Sequence, residues 1–136
     1  RVINSGLNNI LEPMTLDLTE DWSFINDDNM PYFDGIFTAN TLHIVSWPLV
    51  QRFFTSVGNN LTKDGILCIY GPFNYDGKFT SASNQQFDLW LKERDQLSGI
   101  RDFEAIEALA KSAGLSLITD QTMPANNRLL TFIKDC

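Results

Sequence analysis

The sequence predicts an α/β fold: a mostly parallel sheet with helices on both faces, closed by a carboxyl-terminal antiparallel hairpin. Three observations carry this. Residues 33–45 form an apolar, β-branched segment that turns polar at its end, and residues 66–70 form a continuous apolar run without alternation, the pattern of a strand covered on both faces. A helical pattern and short links join the two. They therefore make a strand–helix–strand unit, whose right-handed crossover sets the strands parallel. The last third of the chain carries two β-rich runs on either side of the turn-rich stretch Met123-Pro124-Ala125-Asn126-Asn127, a hairpin signature.

Each element has its own signal. Leu7 reads as a helix end, Pro13 as a punctuator, and residues 14–18 as a short strand with Asp17 near its end. Residues 19–33, rich in Asp and Asn, read as an irregular connection pinned by Trp22 and Phe24. The strand over 33–45 is expected to be buried, with a wet carboxyl end at Thr38, Asn40, Thr41 and His43. Ser46 is placed to cap a helix with Pro48 in its first turn and Leu49, Val50, Phe53, Phe54 and Val57 at helical spacing, closing at 58–60. Lys63-Asp64-Gly65 reads as a turn before the 66–70 strand, which stops at Gly71-Pro72. Ser83-Asn84-Gln85-Gln86 has the form of a capping box, so a helix is expected there with Phe87, Trp90, Leu91 and Arg94 on one face. Asp102 caps a further helix bearing Phe103, Ile106, Leu109, Ala110 and Ala113, and Gly114 supplies its left-handed stop. Residues 115–122 and 128–134 are the hairpin strands.

At 136 residues and 43% apolar, the chain is sized for one domain with one core. No run approaches a membrane span and the front lacks a basic-then-apolar leader, so a soluble, cytoplasmic setting without membrane partners is expected. A formal charge of −7 with scattered cations opposes nucleic-acid binding and favours small-molecule substrates. The acidity serves solubility or a cationic ligand; both readings stay open. Cys68 and Cys136 have neither metal-ligand nor disulfide spacing, so no metal site is expected. The chain opens on Arg1, and the expectation is a single domain over residues 1–136 that is truncated at its amino terminus.

In an open parallel sheet, ligands bind beyond the carboxyl ends of the strands, where loops diverge. Three such ends carry residues 17–19, 38–43 and 70–73. The residues there resemble the class I S-adenosylmethionine-dependent methyltransferases, and more closely the methyltransferase-like protein twenty-six family. The blocks that carry the resemblance are Leu16-Asp17-Leu18-Thr19, Ala39-Asn40 with Leu42-His43-Ile44, Tyr70-Gly71-Pro72-Phe73 with Gly77-Lys78, Ser83-Asn84 with Phe87-Asp88, Gly99-Ile100-Arg101-Asp102, and Met123-Pro124-Ala125-Asn126-Asn127.

The resemblance implies a partial Rossmann-like class I methyltransferase fold. It implies S-adenosylmethionine as cofactor, with Asp17 and Leu18 at the adenine and Ala39 and Asn40 under the methionine part. Asp17 and Asn40 equally suit turn-forming roles. His43, the single histidine, is a candidate general base, or a packing residue. Tyr70, Pro72, Phe73, Asn84, Phe87, Arg101, Asn126 and Asn127 are the candidate substrate residues. Tyr70, Pro72 and Phe73 could equally be plain core, Arg101 could pair with Asp102 or another acid, and the asparagine pair could serve the hairpin turn alone. The sequence has no Gly-x-Gly turn, so a degenerate binding or interaction module stands as the rival reading. The family strand order also leaves the strand over 33–45 with an open edge, which implies a complementary amino-terminal piece, a swapped partner, a homo-oligomer or a rearranged strand.

Overall fold

The computed structural model describes Asn9, Pro13, residues 15–22 and residues 33–135. In chain order the elements are β1 (Phe33–Ala39), α1 (Trp47–Asn60), β2 (Leu61–Gly71), β3 (Phe73–Asn74), α2 (Ala82–Arg94), β4 (Arg101–Asp102), α3 (Phe103–Ser112), β5 (Leu115–Met123) and β6 (Asn127–Lys134). The main sheet has the order β1-β2-β6-β5, and β3 pairs with β4 separately. β1 runs parallel to β2 across α1, and β6 is antiparallel to both of its neighbours. The α/β class, the strand–helix–strand unit and the terminal hairpin are therefore all present. Among the described residues, parallel pairing in the main sheet is confined to β1 and β2.

One face of that sheet makes the core. Val50, Phe53, Phe54 and Val57 of α1 recur at helical spacing and pack with Ile106 and Ala110 of α3 against Leu67, Ile69, Leu115, Leu130 and Phe132 of the sheet. The register puts the alternate residues on the other face: Phe37 beside Cys68 and Thr131, Ile66 beside Ile133, Tyr70 beside Leu129. Phe37 there is 66% exposed, and the others are half-buried. The strand expected to be buried over 33–45 is thus an open one. Asp34, Gly35, Phe37 and Ala39 are exposed because no described strand pairs with the outer edge of β1.

Several boundaries differ from expectation for local reasons. β1 ends at Ala39, because Asn40 takes a left-handed φ of 55° and turns the chain. Lys63-Asp64-Gly65 lies inside β2 as an irregularity, with Asp64 at φ 68° and a register shift opposite Phe33 and Gly35. α2 begins two residues earlier than the capping box suggests: Ser81, not Ser83, is the cap, its Oγ accepting the Asn84 N–H at 3.0 Å. Ser46 and Asp102 hold the cap positions of α1 and α3 without a side-chain bond, and Gly114 follows α3 at φ 83°. Residues 15–18 form no strand. The helix end at Leu7, Met14, Phe24 and Cys136 lie outside the described residues. Among the described residues no helix is long and apolar enough to cross a membrane.

Candidate functional site

Beyond the carboxyl ends of β1 and β2 lies a cavity of about 300 Å³, lined by Asn40, Pro72, Ser83, Asn84, Phe87, Ala125 and Asn127. Four segments distant in sequence build it. Asn40 closes β1, its backbone N–H donating to the Tyr70 carbonyl at 2.8 Å, so the two strand ends are tied together. Pro72 follows β2, has no N–H to carry the ladder on, and separates β2 from β3. Asn84 and Phe87 project from α2. Ala125 and Asn126 form the hairpin turn, both at left-handed φ, near 60°, which is costly for alanine and keeps the turn narrow.

Polar contacts join these walls. The buried Asn84 amide nitrogen donates to Thr80 Oγ1 at 3.1 Å and to the Asn126 carbonyl at 3.4 Å, while Asn126 Nδ2 donates to Ser83 Oγ at 3.1 Å. Asn127 Nδ2 donates to the Tyr70 hydroxyl at 3.2 Å. The lining is amides, one hydroxyl, Pro72 and an aromatic ring, and none of its side chains is ionisable. Such a wall suits an uncharged, hydrogen-bonding molecule with a flat part.

His43 stands just behind this wall. A Cβ placed on Gly71 would lie 3.6 Å from His43 Nδ1 and 4.0 Å from Asn40 Oδ1, and the imidazole meets the Phe87 ring edge-on at 5.6 Å. Burial pushes its pKa down to about 4, with the Arg101 charge adding to the effect, so the ring is neutral at physiological pH. The ring nitrogens have no hydrogen-bond partner among the described residues, and only 4% of the residue is exposed.

The remaining candidates fall elsewhere. Phe73 is a core residue, 2% exposed. Arg101 pairs neither with Asp102 nor into the cavity: it donates to the backbone carbonyls of Leu42, Val45 and Leu97. Ala39 is exposed at the end of β1. Asp17 is exposed and makes an Asx turn, its Oδ1 accepting from Thr19 N at 2.9 Å and Thr19 Oγ1 at 2.6 Å; those bonds hold its pKa below the ordinary carboxylate value. Leu18 packs against the core. Sequence reasoning missed Ser83 and Ala125 in the lining and Asp88 behind it. Asp88 had a signal in its spacing, four residues after Asn84 and four before Lys92 on one helix face.

A larger hollow of about 460 Å³ lies at the opposite end of the sheet, between α1 and α3. Its buried Lys134 donates to the carbonyls of Gly58 at 2.7 Å and Leu61 at 3.4 Å, closing the carboxyl end of α1. This ammonium serves the helix end.

The model of a family described as "Protein of unknown function (DUF938)" matches residues 2–134. The chain belongs to that family. Its fold is shared with solved methyltransferases. An O-methyltransferase family protein from Burkholderia thailandensis superposes with a TM-score of 0.75 at 16% identity, covering 90% of this chain and 35% of that one. Human N-acetylserotonin methyltransferase in complex with S-adenosylmethionine gives 0.70 at 15% identity, covering 90% and 33%. An O-methyltransferase family 2 protein from Planctomyces limnophilus, solved with apigenin, gives 0.69 at 19% identity, covering 79% and 32%. This chain spans about a third of the length of each. At these identities the likeness establishes a methyltransferase-like α/β fold and leaves the chemistry to the site.

Proposed function

We propose that this family member is an S-adenosylmethionine-dependent methyltransferase of an uncharged small molecule, and that this chain supplies the acceptor side of its active site. One observation carries the reading: an uncharged, amide-lined cavity lies at the carboxyl ends of two parallel strands, backed by a neutral imidazole without a partner among the described residues. The residues present fit the methionine end of the cofactor, because the Asn40 side-chain amide likewise makes no bond to a described residue. Asp17 and Leu18 are the proposed adenine contacts, with Ala39 and Asn40 beside the methionine part. When bound, the cofactor supplies an electrophilic methyl group.

Methyl transfer from a sulfonium depends chiefly on holding the acceptor in line and excluding water. Asn84, Asn127 and the Phe87 ring do the holding, with Tyr70, Pro72 and Asn126 shaping the rim. His43, neutral behind the lining, is the proposed acceptor of the substrate's proton; the burial and the Arg101 charge that keep it neutral also make it a weak base, so the proton leaves only as the new bond forms. The open edge of β1 and the apolar face bearing Phe37 are the proposed docking place for the polypeptide that holds the rest of the cofactor, whether on the same chain or on a second copy. The finer likeness to methyltransferase-like protein twenty-six belongs to this proposal, as does a cytoplasmic setting.

The test is incubation of the full-length gene product with methyl-labelled S-adenosylmethionine and a panel of small hydroxyl and amine acceptors. Label in an acceptor, lost in Asn84→Leu, supports the enzyme. Saturable cofactor binding without transfer to any acceptor supports the degenerate module, and absence of binding by calorimetry removes both. The isolated 136-residue chain is expected to show no saturable thermal stabilisation by the cofactor.

A further inference from the structure

The geometry points to Arg101 as a positioning residue that locks the His43 loop to the substrate-side helix α2. Resting on the reading above, this assigns the guanidinium to the protein's own backbone rather than to a substrate carboxylate.

The case is built from a chain of contacts that bridges the two walls of the cavity. On the α2 side, the buried Asp88 sits one position after Phe87, and its Oδ1 accepts the Ile100 N–H at 2.8 Å while Oδ2 pairs with Lys92 at 2.8 Å. The preceding amide, Gly99 N–H, donates to the His43 carbonyl at 2.9 Å. Gly99 has φ 155°, a backbone conformation that L side chains rarely adopt, and a Cβ there would come within 3.0 Å of Lys92 Cε and 3.1 Å of Asp88 Oδ1, so the link after α2 favours glycine at this point. Two residues on, Arg101 sends Nε to the Leu42 carbonyl at 3.0 Å and Nη2 to the carbonyls of Val45 and, at 2.9 Å, Leu97. Its guanidinium lies 5.8 Å from the Trp47 ring centroid, against the first residue of α1. Three backbone carbonyls, from either side of His43 and from the link after α2, thus converge on one planar fork, a geometry that lysine's point charge does not reproduce.

The consequence is mechanical and electrostatic. The His43 loop, which follows Asn40 on one wall, and α2, which carries Asn84 and Phe87 on the other, move as one body because the segment 99–101 is bonded to both. The charged group that acts on the imidazole is Arg101 from β4, which disfavours the imidazolium; Asp88 and its partner Lys92 of α2 lie beside Gly99, whose N–H meets the His43 carbonyl.

Because the chain has a single histidine, its imidazole resonances are unambiguous. Its titration is followed by NMR in the 136-residue chain, alongside amide hydrogen exchange over residues 40–46, for Arg101→Lys, Arg101→Gln and the surface control Lys111→Gln. Arg101→Gln should raise the His43 midpoint by about one pH unit and speed exchange in the loop at least about tenfold. Arg101→Lys keeps the charge but loses the fork, so it should speed exchange similarly and leave the midpoint near its original value. Unchanged exchange in Arg101→Lys overturns the proposal, as does an unmoved midpoint in a folded Arg101→Gln. If the glutamine variant does not fold, the lysine variant alone decides. Neither readout involves methyl transfer, so the clamp can fail while the enzyme reading stands, and the reverse.

Discussion

The two faces of the main sheet are made from the same strands, one residue apart, yet they differ sharply. On the covered face Leu67, Ile69, Leu130 and Phe132 are within 1% of complete burial under α1 and α3. On the other, Phe37 is 66% exposed, and Ile66, Cys68, Tyr70, Leu129 and Ile133 are half-buried. Both sets are largely apolar, so composition does not separate them. What separates them is which face the crossover of α1 and the following α3 selects. Stability resides on the covered face, while among the described residues the other face leaves Phe37 exposed.

The sharpest test of that division is Phe132→Ala. A fully buried aromatic leaves a cavity that the helices close only in part, and a loss of about 3–5 kcal/mol is expected in urea unfolding. A loss below about 1 kcal/mol would break the comparison, because the covered face would then not be the core.

His43 lies where that core meets the cavity, and it makes stability depend on pH. Its folded-state pKa of about 4 lies below the ordinary 6.5, so between those values the unfolded chain binds a proton that the folded chain refuses. Its contribution is intact above pH 6.5, declines as pH falls toward 4, and is level below that. The decline is up to about 3 kcal/mol. Unfolding of the wild type and His43→Leu at pH 7.5 and 4.5 measures it, and equal pH dependence in the two would show that the ring is not held neutral.

The Ser81 cap offers a smaller effect. Only Asn84, Asp88 and Leu91 of α2 are buried, and two of these are polar, so packing holds this helix less than it holds α1. Ser81→Ala should cost about 1 kcal/mol, with faster exchange of the first-turn amides. Smallest of all, Phe37→Ser should change stability by less than about 0.5 kcal/mol in the isolated chain. A larger loss, or a change of apparent mass in gel filtration, would reveal that the open face is already covered in solution.

Much of the architecture was legible because it follows from local chemistry. The period of Val50, Phe53, Phe54 and Val57 marked α1, the stop at Gly114 marked the end of α3, and the Pro124–Asn127 turn marked the hairpin. Of the candidate site residues, Asn40, Pro72, Asn84, Phe87 and Asn127 come together around one cavity. Phe73 does not join them, because its ring completes the core, and Arg101 turns back to the Leu42, Val45 and Leu97 carbonyls. Alternation and spacing cannot report such choices, since they depend on where a distant loop leaves its carbonyls unpaired. The cap at Ser81 was missed for a related reason: Ser81 and Ser83 both fit a helix start, and only the backbone decides which one lies outside it.

By itself the sequence determined the α/β class, the strand–helix–strand order and the closing hairpin, since periodicity, caps and turn residues act over a few neighbouring positions. Only the tertiary structure decided that the imidazole would be buried neutral, and that Asp88, Gly99 and Arg101 would tie the two sides of the cavity together. These outcomes depend on contacts between residues well separated in sequence, 12 positions for Asp88–Ile100 and 59 for Arg101–Leu42, and on desolvation that exists only once those segments have met.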